Sequence, residues 1–219
     1  MTVSLSKGQG VSLKKNEFDL SSVTIGLGWD IHEEKKGFLG SLLGKKEAEY
    51  DLDVVAFLCN AQGKVADLGE MQNGKPTLVG GDIIFFNSME HPSRQIWLTG
   101  DNRTGAGDGD DEQIIVKLNT LDPKYHKIVF VVQIYNGVKL NQHFGKVDNA
   151  FIRAVDARNI EMARFDLSGG APFTNRRSML FAELVRENTN WKLTAIGEPS
   201  DSDTFVTHLK GYLLSLIHI

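Results

Sequence analysis

Short apolar runs separated by clusters of Gly, Asn and Asp recur along the whole chain. Residues 23–29 form the first strong strand candidate. In residues 51–58, Leu52, Val54, Ala56 and Leu58 alternate with Asp51 and Asp53. Period two therefore places the apolar set on one face and both carboxylates together on the other. Residues 127–135 are apolar almost throughout, which predicts a strand buried on both faces. Further runs at 82–86, 95–98, 113–118, 149–155, 162–167, 179–185 and 191–196 give about ten short strands at the spacing of a sandwich. They are rich in Val, Ile and Phe, the residues that strands favour. Residues 60–63 and 186–190 carry hairpin-turn chemistry. The expected fold is mainly all-β: a two-sheet antiparallel sandwich with short helices.

The periodicity changes in two places. Residues 118–127 suggest one turn of helix before Pro123. From 203 to 219, Phe205, Leu209, Leu213 and Leu216 fall near one helical face. This predicts a C-terminal helix capping the sandwich, so the domain spans 1–197 and a helical tail 198–219. Residues 33–50 are charged at the start and apolar at the centre, and read as a long surface loop.

Composition narrows the function classes. The net charge is −4 and no Lys or Arg block exceeds two residues, which argues against a nucleic-acid partner, since phosphate binding needs a clustered basic face. The single cysteine, Cys59, excludes a disulfide framework and reads as a small buried hydrophobe. No run approaches the roughly 20 apolar residues that span a bilayer, and the first residues carry no apolar signal core. The expectation is a cytoplasmic protein without a transmembrane segment. No G-x-S-x-G elbow, P-loop or H-E-x-x-H motif is present, so no catalytic residue is assigned.

Candidate chemistry concentrates in residues 100–112, which hold five carboxylates, one carboxamide and four glycines. Crowded carboxylates repel one another unless a cation lies among them, and Ca²⁺ takes six to eight oxygen ligands of this kind. The segment is not an EF-hand, because Arg103, Gly105 and Ala106 stand where that loop needs two oxygen donors and a glycine. It is an acidic loop between strands, and its site needs donors from other strand ends. Asp30, the Asp51/Asp53 pair and Asn87 are the candidates. Zn²⁺ is disfavoured, because the six histidines form no short-spaced pair, and Mg²⁺ keeps too many of its waters.

Several segments resemble the tellurium-resistance TerD family: Gly26-Leu27-Gly28-Trp29-Asp30, Asp51-Leu52-Asp53, residues 82–87, 100–112 and 149–153, and Ala163-Arg164-Phe165-Asp166-Leu167. The resemblance runs in family order over about residues 1–197. It implies a β-sandwich that holds one or two Ca²⁺ ions through acidic loops. Asp30, Asp51, Asp53, Asp101, Asn102, Asp108, Asp110, Asp111 and Glu112 stand where the family's acidic motifs stand. It further implies a bacterial stress-response role in tellurite resistance, as a Ca²⁺-dependent binding or scaffold module. The implied partners are other tellurium-resistance proteins in a membrane-linked complex, with a peripheral place at the inner membrane. The alternative is an enzyme acting on tellurite or another small anion, for which Cys59 is the sole thiol.

Overall fold

The computed structural model describes residues 2–31, 50–99, 109–167 and 173–214. Asp101, Asn102, Asp108, the expected surface loop at 33–50 apart from the buried Tyr50, and the last five residues lie outside that set. The strands are β1 (Val3–Leu5), β2 (Gly10–Leu13), β3 (Val23–Ile31), β4 (Leu52–Cys59), β5 (Met71–Gln72), β6 (Lys75–Pro76), β7 (Ile83–Ile84), β8 (Ile96–Leu98), β9 (Glu112–Val116), β10 (Lys127–Ile134), β11 (Val147–Val155), β12 (Glu161–Leu167), β13 (Ser178–Glu187) and β14 (Asn190–Ser200). Two six-stranded sheets form, in the orders β1-β12-β11-β3-β9-β8 and β2-β14-β13-β10-β4-β7. Strands β5 and β6 make a small separate hairpin. Pairing is antiparallel except where β1 runs parallel to β12, with Val3 opposite Ala163.

All ten predicted runs are strands. β1 and β2 were not expected, because each buries a single residue at its end, Leu5 or Leu13, too little for an alternating signal. β7 is only two residues long, since Phe85 and Ser88 exchange backbone hydrogen bonds in a tight turn straight after it.

The inner faces of the sheets enclose the main core. β4 supplies Leu52, Val54, Ala56 and Leu58; β3 supplies Val23, Ile25, Leu27 and Trp29. The opposite side of β4 is buried as well. Val55, Phe57 and Cys59 join Val129 and Val131 of β10 in a second cluster, covered by Val65, Leu68, Leu78 and Phe85 and by Phe205, Leu209 and Leu213 of the C-terminal segment. This explains the unbroken apolar run of β10. Burying a side chain such as Phe57 fully contributes about 2–3 kcal/mol.

The C-terminal helix is shorter than its periodicity suggests. β14 itself runs to Ser200, past the expected boundary at 197. Helix α1 (Val206–Leu209) is followed by one 3₁₀ turn, Lys210–Tyr212. The Tyr212 carbonyl then accepts the Val65 amide at 2.9 Å, and Leu213 forms a parallel bridge with Val65. A strand-like partner thus replaces the next helical turn, beside Gly211, a residue that costs a helix about 1 kcal/mol. Before Pro123, the turn is two bonds to the Lys117 carbonyl, from the Thr120 amide at 3.2 Å and the Leu121 amide at 2.9 Å.

Candidate metal centre

Strand β3 is central to the first sheet, with its apolar residues inward and Thr24, Gly26, Gly28 and Asp30 outward. The two glycines make room on that outer face. A Cβ on Gly26 would lie 2.2 Å from the Asp110 carboxyl carbon, and one on Gly28 would lie 2.6 Å from the Gly109 carbonyl oxygen and 2.4 Å from the Phe151 ring. Any larger residue would push the acidic loop off the sheet.

The loop is tied down on both sides of β3. The Asp111 amide donates to the Leu27 carbonyl at 2.8 Å, and its carboxylate accepts the Trp29 amide at 3.0 Å. Asp110 accepts Arg153 Nε at 2.7 Å and Gln113 Nε2 at 3.1 Å. Its side chain is 2% exposed, against 29% for Arg153. Arg153 sits directly across from Gly26 in the β11–β3 register and also reaches Glu161 at 3.2 Å. The Asp110 hydrogen bond is the main reason the Arg153 pKa rises further. At the end of β3, Asp30 is exposed and accepts Asn149 Nδ2 at 2.7 Å.

Electrostatics links these carboxylates. Burial pushes the Asp111 carboxyl up and the Trp29 amide opposes it; the negative charges of Asp30 and Asp110 then push it up further. Asp30, Asp110 and Asp111 therefore share one neighbourhood on the outside of the first sheet.

The other expected donors are elsewhere. Glu112 is 2% exposed and points inward, accepting the Val54 amide of the facing sheet at 2.6 Å. β7 leaves that stretch of β4 uncovered, because it pairs only with Ala56 and Phe57, and Glu112 caps the open amide. Asp53 lies on the outer side of the second sheet. It accepts Gln133 Nε2 at 2.9 Å, and Gln133 accepts the Phe205 amide at 2.7 Å, so this carboxylate helps to dock the C-terminal segment. Asp51 follows the same alternation, and its carbonyl accepts the Tyr135 amide at 2.8 Å. Asn87 is exposed in the turn after β7. The expected convergence of Asp30 with the Asp51/Asp53 pair is thus not found: β3 and β4 belong to different sheets and turn these residues to opposite outsides of the sandwich. Among the described residues, no three His, Cys, Asp or Glu side chains are spaced to hold a metal.

Sequence reasoning missed Arg153, Gln113 and Asn149 as partners of the acidic residues. Strand register brings Arg153 and Asn149 there and no local pattern marks it, whereas Gln113 lies three residues along from Asp110. It also missed a buried network in which Asp82 accepts Tyr125 Oη at 2.5 Å and Oδ1 lies 3.4 Å from His91 Nε2. Burial alone would raise the Asp82 carboxyl; hydrogen bonds from His91, Tyr125 and the Asp67 amide outweigh it and hold the pKa below the usual range. The network pins the 80–91 segment over the second core cluster. Cys59 is fully buried, and burial raises its thiol to about 12.

Comparison with known proteins places this architecture. The TerD domain family model matches residues 1–209. Tellurium resistance protein TerX of Serratia marcescens is 79% identical over 213 residues, covering 97% of this chain and 100% of its own length. General stress protein 16U of Bacillus subtilis is 38% identical over 198 residues, 90% of each chain. A crystal structure of a TerD homologue from Streptomyces coelicolor A3(2) shares the fold with a TM-score of 0.58 at 20% identity, covering 85% of this chain and 94% of its own. The relatives' names describe resistance and stress proteins rather than enzymes. On the extent of these matches, the chain belongs to the TerD domain family of tellurium-resistance and stress-response proteins.

Proposed function

We propose that the chain is a Ca²⁺-dependent binding module of the tellurium-resistance response, with one cation seated where the acidic loop crosses β3. The observation that carries this reading is the gathering of Asp30, Asp110 and Asp111, where burial first, and then the charges of Asp30 and Asp110, disfavour the ionised Asp111 carboxylate. The donors there are all oxygens, which fits a hard divalent ion. Asp30, Asp111 and the Gly109 carbonyl are the described groups that would hold it. Asp101, Asn102 and Asp108, outside the described residues, remain donors that the family resemblance implies. The cation would neutralise the acidic residues at the end of the first sheet and create a surface for other resistance proteins. No helix among the described residues is long and apolar enough to cross a membrane, so a membrane-linked complex would be reached through a partner.

The enzymatic alternative loses support from Cys59. A fully buried thiol with so high a pKa is a poor nucleophile or reductant.

Thermal unfolding in millimolar CaCl₂ and in chelator tests the proposal. Ligand at 100 times Kd adds about 2.7 kcal/mol to stability, and each kcal/mol moves Tm by about 2–4 °C in a domain of this size. A rise of roughly 5–10 °C is expected. An unchanged midpoint rejects the calcium reading.

A further inference from the structure

Asp110 occupies an unusual position in the acidic loop. Both of its carboxylate oxygens are already engaged, one by Arg153 and one by Gln113. Its side chain is almost completely buried while Asp30 is exposed, and it lies directly against Gly26, where a Cβ would come within 2.2 Å of it. Arg153 reaches Asp110 on one side and Glu161 of β12 on the other. It therefore ties the loop to two neighbouring strands of the first sheet. Of the residues flanking Asp110, Gly109 is exposed and Asp111 is half-buried. Gly109 presents its carbonyl beside Gly28, and Asp111 is held by the Leu27 carbonyl and the Trp29 amide.

We propose that Arg153 is the resident counter-cation of the acidic site, and that Asp110, clamped by it, anchors the loop instead of ligating the metal. The proposal rests on the calcium reading above. Arg153 is then a positioning residue: it fixes the Gly109 carbonyl and the Asp111 carboxylate for the ion and removes one of three negative charges from the contest for it. A different arrangement would use the same atoms. Asp110 could be a ligand that Arg153 occupies until the ion displaces it. The two arrangements differ in sign. Removing an anchor weakens Ca²⁺ binding, and removing a competitor tightens it.

The experiment titrates calcium-stripped full-length protein with CaCl₂ by isothermal calorimetry, and measures urea unfolding midpoints in chelator, for wild type, R153Q, R153K, D110N and D110N/R153Q. The anchor predicts that R153Q raises Kd about 10- to 100-fold, the range expected when a group that orients a metal ligand is lost. R153K, which keeps the charge, recovers part of that loss and serves as the informative variant if R153Q does not fold. D110N matches R153Q in both Kd and chelator midpoint. The double variant is no worse than either single one, because both remove the same contact. Tighter binding by R153Q or R153K overturns the proposal, as does D110N abolishing binding while leaving the chelator midpoint at the wild-type value. Should wild type bind no Ca²⁺, the calcium reading fails with it. The anchor itself is then judged in chelator, where an additive double variant refutes it.

Discussion

Replacing Gly26 by alanine is the sharpest test of how the acidic loop lies on the first sheet. The new methyl would sit 2.2 Å from the Asp110 carboxyl carbon and 2.5 Å or less from both of its oxygens, so one of the two groups must move. The backbone at Gly26 is an ordinary strand, outside the positive-φ set, and alanine there is not strained. Moving the carboxylate breaks its pair with Arg153. Disrupting a buried pair costs about 3–5 kcal/mol. Arg153 is 29% exposed and regains water, which lowers the expected cost to about 2–3 kcal/mol. Alanine recovers about 0.4–1 kcal/mol by restricting the unfolded chain. The net loss is then about 2 kcal/mol, a fall of roughly 4–8 °C in Tm. The assay is urea unfolding in chelator, followed by the fluorescence of the three tryptophans, in a cycle with Asp110→Ala. Without the carboxylate, Gly26→Ala should be neutral or slightly stabilising, so the coupling energy should be about 2–3 kcal/mol. An equal cost in both backgrounds would show that the methyl strikes something other than Asp110, and the account of the loop would be wrong.

Three other outcomes follow from described groups. Asp156 accepts the amides of Asp19, Arg158 and Ile160 and the Arg158 guanidinium; these outweigh burial and hold its pKa at about 2. Because the folded pKa is depressed, its stabilisation is present above about pH 4 and disappears as pH falls from 4 towards 2. The midpoint difference between wild type and Asp156→Asn should therefore shrink over that window, and a constant difference refutes the assignment. Cys59, buried with its thiol raised to about 12, should resist a thiol reagent at pH 8 until the protein is unfolded; fast native labelling would contradict its burial. Phe205 packs against Phe57 and Phe85 at ring distances of 6.1 and 5.3 Å, so Phe205→Ala should cost about 3–4 kcal/mol and promote binding of a hydrophobic dye; a loss under 1 kcal/mol would mean that the C-terminal segment is not a fixed cover.

Alternation made most of the sandwich legible. The apolar run of β10 announced burial on both faces, and the Leu52–Leu58 series correctly assigned the inner face of β4. Elements with one buried residue, such as β1 and β2, leave no periodic trace. The helical spacing of Phe205, Leu209 and Leu213 was real as a burial pattern, yet it did not require a long helix, because the Val65 backbone offered Tyr212 another partner. The acidic residues show a deeper limit. Period two reports which side of a strand a carboxylate occupies, but not which sheet that strand joins. Asp30 and Asp53 are both outward, and only the pairing order separates them. The same blindness hid Arg153, whose partner lies 43 residues away in the chain.

The first 13 residues contribute an outer strand to each sheet: β1 borders β12 and β2 borders β14. Both partners come from the last third of the chain. During synthesis at about 5–20 residues per second, the amino-terminal strands would wait roughly 10–30 s for Ala163 and its neighbours to emerge. These two strands would be late arrivals in folding, closing over sheets already formed. Once in place they act as end-stops, occupying one hydrogen-bonding margin of each sheet that could otherwise recruit a strand from another molecule. A chain begun at residue 14 would therefore expose β12 and β14 together, and its failing would be self-association rather than a smaller core.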